Sequence, residues 1–231
     1  MPSKTQPAYC RPAAYQLFQE QLATVDTGES LFRAAFAIAL HQRPEADLAE
    51  VETIVENLAD TVARRVCSRS TEALLAHLHD VLFDVYGLRG NVDDYFNPAN
   101  SYLPDVLHAR QGLPITLVLV YKRVAEQLGL TVHGVNSPGH FLAEVEANEP
   151  PGESLYIDAF FSGELLNENE IVERIRQATG LDIEPTPKLL ARATHRQWLG
   201  RMLNNLQAAF ATLGQDRDVY AMQELQALLV V

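Results

Sequence analysis

Cysteine is scarce in this sequence, since only Cys10 and Cys67 among 231 residues carry a thiol. Two cysteines so far apart provide neither the disulfide framework of a small secreted domain nor the paired spacing of a zinc site. An unpaired cysteine is commonly buried as a small apolar residue. We therefore predict that both thiols are reduced and structural.

Basic residues are also few, with 18 lysines and arginines against 30 aspartates and glutamates, for a formal net charge of −12. A general nucleic-acid binder and a protein drawn to anionic lipid both need a positive surface. No apolar run reaches the roughly 18 residues of a membrane-spanning helix, and the first residues lack the apolar segment of a secretory signal peptide. We therefore predict a cytoplasmic protein that binds neither nucleic acid nor membrane.

The spacing of apolar residues predicts an α+β protein in three parts. Residues 1–90 repeat apolar side chains at intervals of three and four, which predicts a helical N-terminal subdomain. Residues 91–166 contain a Gly-, Asn-, Asp- and Pro-rich loop, two helices and three probable antiparallel strands. Residues 167–231 return to helical spacing and end in a predicted helical hairpin that turns at 214–216.

The segment RQGLPITLVLVYKRVAEQLGL contains a helix that we expect to be central. Pro114 suits the first position of this helix, and Gly129 suits the residue that ends it. On a helical wheel the apolar arc covers most of the circumference, and Thr116, Arg123 and Gln127 form a narrow polar stripe. The helix is therefore predicted to pack against the sheet through the face that begins with Pro114.

Four short motifs, NSYL, GLPITL, PGHF and IDAF, follow one another in this order. Together they resemble the transglutaminase-like core of SirB-type bacterial proteins, which belong to the papain-like superfamily, and the resemblance covers about residues 84–166. It implies a central helix packed against a small antiparallel sheet. The C-terminal hairpin is also similar to one tetratricopeptide unit in the spacing of Leu206, Ala209, Phe210, Ala221 and Leu225. A helical pair that caps the core is the alternative interpretation.

The resemblance implies a catalytic triad that has lost its nucleophile. In active transglutaminase-like enzymes a cysteine opens the central helix, and counting back from the turn at 128–130 puts its position at Pro114. His140 matches the family histidine and Asp158 matches the aspartate. In such a triad the helix N-terminus and the imidazolium lower the pKa of the thiol, and the carboxylate fixes the imidazole tautomer. Because proline has no ionisable group, His140 and Asp158 are predicted to form a residual dyad.

Four other side chains are candidates for a relocated nucleophile. Thr116 is nearest in sequence, but the helical wheel puts it about 160° away from Pro114. Its hydroxyl is predicted to bond to the backbone, as is common at helix starts. Ser101 lies on the preceding loop, from which it could approach the histidine. Cys10 and Cys67 lie in the helical N-terminal part, away from the predicted strands.

We predict a non-catalytic transglutaminase-like protein that acts as an interaction or regulatory module for an unidentified protein or peptide partner. Its groove is predicted around His140, Asp158, Asn100 and Tyr102, with Thr116 as a further binding residue. The alternative is an amide hydrolase or acyl transferase in which a relocated nucleophile acts with the same dyad. A purely structural helical adaptor is a third interpretation. No metal-ligand spacing accompanies these residues, so neither a metal nor a cofactor is predicted.

Overall fold

The predicted α+β architecture is confirmed by a computed structural model, which describes residues 6–68, 70–147 and 154–230. The helices that precede the main sheet are α1 (Pro12–Gln21), α2 (Gly28–Ala39), α3 (Leu48–Arg65), α4 (Thr71–His79), α5 (Leu103–Ala109) and α6 (Pro114–Gln127). The helices that follow it are α7 (Glu168–Thr179), α8 (His195–Thr212) and α9 (Asp216–Ala227). None of the described helices is long and apolar enough to cross a membrane.

The strands form two sheets. In the smaller sheet, β1 (Arg89–Gly90), which precedes α5, pairs in parallel with β2 (Gln111–Gly112), which follows it. The main sheet is antiparallel in the order β3-β4-β5-β6, and its strands are β3 (Val132–Val135), β4 (Leu142–Glu146), β5 (Ser154–Asp158) and β6 (Glu164–Leu166). The sequence predicted three of these strands and missed β6, because three residues are too few to show a period of two. The segment NEPPGE at 148–153, whose composition predicts a turn between β4 and β5, lies outside the described residues.

Helix α6 is the centre of the molecule, as predicted. Eleven of its 14 residues are buried, and it contacts helices α2, α3, α5 and α8 as well as strands β3 and β4. The predicted polar stripe is wrong at Thr116, which is fully buried. A helix that is enclosed by other elements on nearly every side has no room for a solvated stripe near its start.

Helix α8 is joined to the start of α6 and to the main sheet through Trp198, the one tryptophan of the chain. Its indole N–H donates to the backbone oxygen of Ile115 at 3.3 Å, and its ring centroid lies 4.6 Å from that of Phe141. On β3, a Cβ atom at Gly134 would lie 2.3 Å from the Trp198 ring, so glycine lets this large side chain approach the sheet.

The C-terminal hairpin is formed by α8 and α9, which turn at Gly214 in a left-handed conformation. The larger of two hydrophobic clusters among the described residues includes side chains from the N-terminal helices, α6, the main sheet and this hairpin. The hairpin therefore contributes buried side chains to this core. The proposed division at residues 90 and 166 stays a prediction.

Candidate functional site

The loop between β3 and β4 positions His140. Gly139 has a left-handed φ of 68°, and a Cβ atom there would lie 2.8 Å from the methyl group of Thr179 at the end of α7. The hydroxyl of Ser137 donates to the backbone oxygen of Leu189 at 2.7 Å, and the backbone N–H of His140 donates to the oxygen of Ser137. The contacts with Leu189 and α7 therefore fix this turn against the C-terminal part of the chain and hold His140 in place just before β4.

His140 and Asp158 form a buried hydrogen-bonded pair. Nε2 of His140 donates to Oδ2 of Asp158 at 2.8 Å. Asp158 is the last residue of β5 and is fully buried. Its other oxygen, Oδ1, accepts from the backbone N–H groups of Phe160 and Phe161 at 3.1 and 3.3 Å. With Nε2 used as the donor, Nδ1 is the free acceptor of the ring, since it has no hydrogen-bond partner in the described part of the chain.

Arg174 on α7 also binds the Asp158 carboxylate, which sequence reasoning did not predict. Its guanidinium nitrogens lie 3.2 Å from Oδ2 of Asp158 and 2.6 Å from the carboxylate of Glu164. The guanidinium carbon lies 3.9 Å from the centroid of the Phe161 ring, a favourable cation–π distance. The carboxylate of Asp158 is therefore shared between the imidazole of His140 and the guanidinium of Arg174.

A cleft of about 280 Å³ lies beside the dyad. His140 and Pro114 both line it, so the first residue of α6 faces the same space as the imidazole. Most of its wall is apolar. The other lining residues are Tyr95, Phe96, Asn97, Pro98, Ser101, Leu113, Ile115, Gly139, Phe141, Arg201, Asn205, Ala208, Ala209 and Thr212.

The predicted groove residue Asn100 is buried and holds the loop before α5. Its side-chain N–H groups donate to the backbone oxygens of Asp94 and Tyr95 at 2.6 and 3.1 Å, and its Oδ1 accepts from Asn91 at 2.9 Å. Asn100 does not line the cleft of His140. Its hydrogen bonds instead stabilise the loop that brings Tyr95 and Phe96 to that cleft.

The structure also places Tyr102 and Thr116 outside the cleft. Tyr102 is buried, with the guanidinium of Arg43 5.6 Å from its ring centroid, and burial raises the pKa of its phenol well above the usual range. The hydroxyl of Thr116 has no hydrogen-bond partner among the described residues, so the predicted bond to the backbone is wrong. The groove that we predicted around Asn100 and Tyr102 is therefore formed by other side chains.

Among the candidates for a relocated nucleophile, Ser101 alone lines the cleft with His140. Its hydroxyl forms no hydrogen bond with a described residue. Burial, reinforced by the Glu224 carboxylate, raises the pKa of the Cys10 thiol to about 12. Cys67 is exposed near the end of α3 and does not line the cleft. Neither cysteine is therefore placed to replace the missing thiol.

Sequence reasoning missed Arg174 and Arg201, the two arginines that flank the dyad and the cleft. Each follows a buried apolar residue by three positions on its helix, Ile171 on α7 and Trp198 on α8. That spacing put both arginines beside the buried face of the helix. It was a signal for partial burial, although it did not reveal what either guanidinium would contact.

Comparisons with known proteins agree with this architecture. The sequence model of the transglutaminase-like superfamily matches residues 48–204. A UPF0162 protein of Xylella fastidiosa is 35% identical over 196 residues, which cover 82% of this chain and 68% of that protein. The mouse F-box only protein 21 is 28% identical over 253 aligned positions, which cover 94% of this chain and 39% of that protein. No solved structure matches the chain. The superfamily match spans more than half of the sequence, and this chain therefore belongs to the transglutaminase-like superfamily.

Proposed function

We propose that this chain is a non-catalytic transglutaminase-like protein whose cleft binds a segment of a protein or peptide partner. The observation that carries the proposal is Pro114, the first residue of α6, in the same cleft as the His140–Asp158 dyad. Covalent catalysis by such a dyad needs a side chain that gives up a proton and attacks. A proline ring can do neither.

The contacts of Asp158 support a role for the dyad in positioning the cleft wall. Asp158 accepts hydrogen bonds from two backbone N–H groups besides its contacts with His140 and Arg174. These interactions join the turn before β4, the end of β5 and α7. A carboxylate with this many donors holds the imidazole in one tautomer, and the ring can then accept a hydrogen bond from a bound ligand at Nδ1.

An aromatic cluster of Tyr95, Phe96, Phe160 and Phe161, of which Tyr95 and Phe96 line the cleft, supports a polypeptide ligand. The ring of Tyr95 contacts those of Phe96 and Phe160, with centroids 5.4 and 5.9 Å apart, and Phe160 contacts Phe161 at 5.2 Å. Phe96 is 78% exposed and Phe161 is 46% exposed. Exposed aromatic side chains beside an apolar cavity are typical of protein interaction sites.

The proposal includes three finer assignments from the sequence. The chain is proposed to belong to the SirB-type branch and to act in the cytoplasm. The hairpin α8–α9 is proposed to be tetratricopeptide-like, which is supported by the burial of Leu206, Phe210, Ala221 and Leu225.

Selection of peptides from a random library on the immobilised protein tests whether the cleft binds a polypeptide. We expect selected peptides to bind at least about fivefold more weakly to the Phe96→Ser variant, because the change removes an exposed ring from the cleft wall. The Leu181→Ser variant is the control, since Leu181 is equally apolar and 62% exposed but does not line the cleft. Failure to select any peptide, or equal loss in both variants, would contradict the proposal.

Assays with amine and glutamine donors, and with peptide amides, test the non-catalytic assignment. We expect no turnover above that of the His140→Ala variant, because the dyad has no nucleophile to activate. Turnover in the wild-type protein that His140→Ala abolishes would overturn the assignment.

Ser101 supports the alternative, an amide hydrolase or acyl transferase, because its hydroxyl shares the cleft with His140. The free Nδ1 of His140 would accept the hydroxyl proton in such an enzyme. Treatment with a fluorophosphonate, followed by mass spectrometry, distinguishes the two functions. An adduct on Ser101 that is lost in His140→Ala favours the enzyme, and an unmodified Ser101 favours the binding module.

A further inference from the structure

Arg201 lines the cleft and has no carboxylate partner. One of its terminal nitrogens donates to the backbone oxygen of Ser137 at 2.7 Å and to the side-chain oxygen of Asn136. Its guanidinium carbon lies 5.5 Å from the centroid of the Phe141 ring. No aspartate or glutamate of the described chain forms an ion pair with it, so its remaining donors are available to a ligand.

Two other arginines beside the main sheet, unlike Arg201, each form ion pairs with two carboxylates. Arg174 contacts the carboxylates of Asp158 and Glu164, and Arg192 contacts those of Glu144 and Glu146. Burial lowers the pKa of Arg201, as expected for a cation that has lost solvent without gaining a carboxylate. In a chain with a net charge of −12, this guanidinium is a local site for an anionic group.

The surroundings of Arg201 restrict what that anionic group can belong to. Leu113, Pro114 and Phe141 line the same cleft, together with Phe96 from the aromatic cluster. The cleft volume of about 280 Å³ lies just below the range that is usual for ligand pockets. A suitable ligand therefore carries one carboxylate close to one large apolar group and enters the cleft by its end.

We infer that the cleft binds the carboxyl-terminal residue of a peptide, with the terminal carboxylate on Arg201 and an apolar side chain against Phe96 and Phe141. This inference rests on the proposed binding of a polypeptide. A carboxyl-terminal residue carries its carboxylate and its side chain on the same Cα atom, which matches one cation among apolar neighbours. An internal aspartate or glutamate has no apolar group next to its carboxylate and requires chain on both sides.

The test compares N-acetyl-Gly-Gly-Phe with a free carboxylate against the same peptide as its C-terminal amide. Binding is followed by the NMR signal of the Trp198 indole N–H, which is the one tryptophan signal and donates to the cleft residue Ile115. We expect the free acid to bind at least about tenfold more tightly, because a charge-assisted pair with arginine is stronger than a neutral hydrogen bond.

Two matched variants assign this preference to Arg201. In Arg201→Gln the acid-to-amide ratio should fall to about one, while the glutamine amide can still donate to the oxygen of Ser137. Arg196→Gln makes the same charge change on α8, where Arg196 contacts the oxygen of Leu229 and does not line the cleft. It should keep the ratio of the wild-type protein. Melting temperatures of both variants check that each remains folded.

Equal binding of acid and amide, or a preference that survives in Arg201→Gln, would overturn the inference. The inference would also be overturned if N-acetyl-Gly-Asp-Gly-amide bound more tightly than the free acid of N-acetyl-Gly-Gly-Phe. That result would assign the site to an internal acidic side chain. In these cases the proposed function stands as long as library peptides depend on Phe96. If no peptide binds in either experiment, both the inference and the proposed function fail.

Discussion

The Pro114→Cys variant is expected to carry a thiolate whose alkylation midpoint lies about two pH units below the value of about 8.5 for an ordinary cysteine. The new thiol would stand at the first position of α6, where the unpaired N–H groups of the helix favour a negative charge. It would also share the cleft with His140, whose Nδ1 is free. The change costs little helix stability, because the N–H group at the first helical position has no partner within the helix.

The rate of iodoacetamide alkylation as a function of pH measures this midpoint. The Cys67→Ser background removes the exposed thiol, and Cys10 stays silent because its pKa is raised to about 12. Adding His140→Ala should raise the alkylation midpoint part of the way back toward about 8.5. The size of that rise separates the effect of the imidazole on the thiol from the effect of the helix N-terminus. A midpoint within about half a unit of 8.5 would show that Pro114 does not occupy the position of a catalytic cysteine.

The Asp158→Ala variant is expected to lose about 3–5 kcal/mol of unfolding free energy, as is typical when one partner of a buried ion pair is removed. The substitution leaves the guanidinium of Arg174 with no carboxylate on its buried side. It also removes the acceptor of the backbone N–H groups of Phe160 and Phe161. Unsatisfied buried donors add to the loss.

Urea unfolding of two further variants identifies the cause of this loss. Asp158→Asn keeps the shape and one acceptor oxygen, so its stability should lie between those of Asp158→Ala and the wild-type protein. Glu164→Ala removes the other carboxylate of Arg174, which is 52% exposed, and should cost less than about 1 kcal/mol. An unfolding free energy of Asp158→Ala within about 1 kcal/mol of wild type would mean that the dyad does not stabilise the fold.

The parts of the fold that depend on local sequence were predictable. Helix α6 begins at Pro114 as predicted and ends at Gln127, two residues before Gly129, because proline and glycine are strong signals for a start and an end. The order of motifs also identified His140 and Asp158 before any geometry was available, and the structure brings these two side chains into contact.

The walls of the cleft were not predictable from local pattern. Asn100 and Tyr102 lie in a segment whose loop and helix-start signals do not show which way a side chain faces. In the structure neither of them lines the cleft. Arg201 comes from α8, about 60 residues after His140 in the chain, so its place beside the cleft depends on the docking of the hairpin. Tertiary packing of this kind has no periodic signal in the sequence.

The contact of Trp198 with Ile115 and Phe141 has a mechanical consequence. Both contacted residues line the cleft, and each is next in sequence to another cleft residue, Pro114 or His140. Close-packed side chains transmit displacements rather than absorb them. We therefore expect a displacement of α8 to move Ile115 and Phe141, and a molecule bound in the cleft to shift α8 in turn.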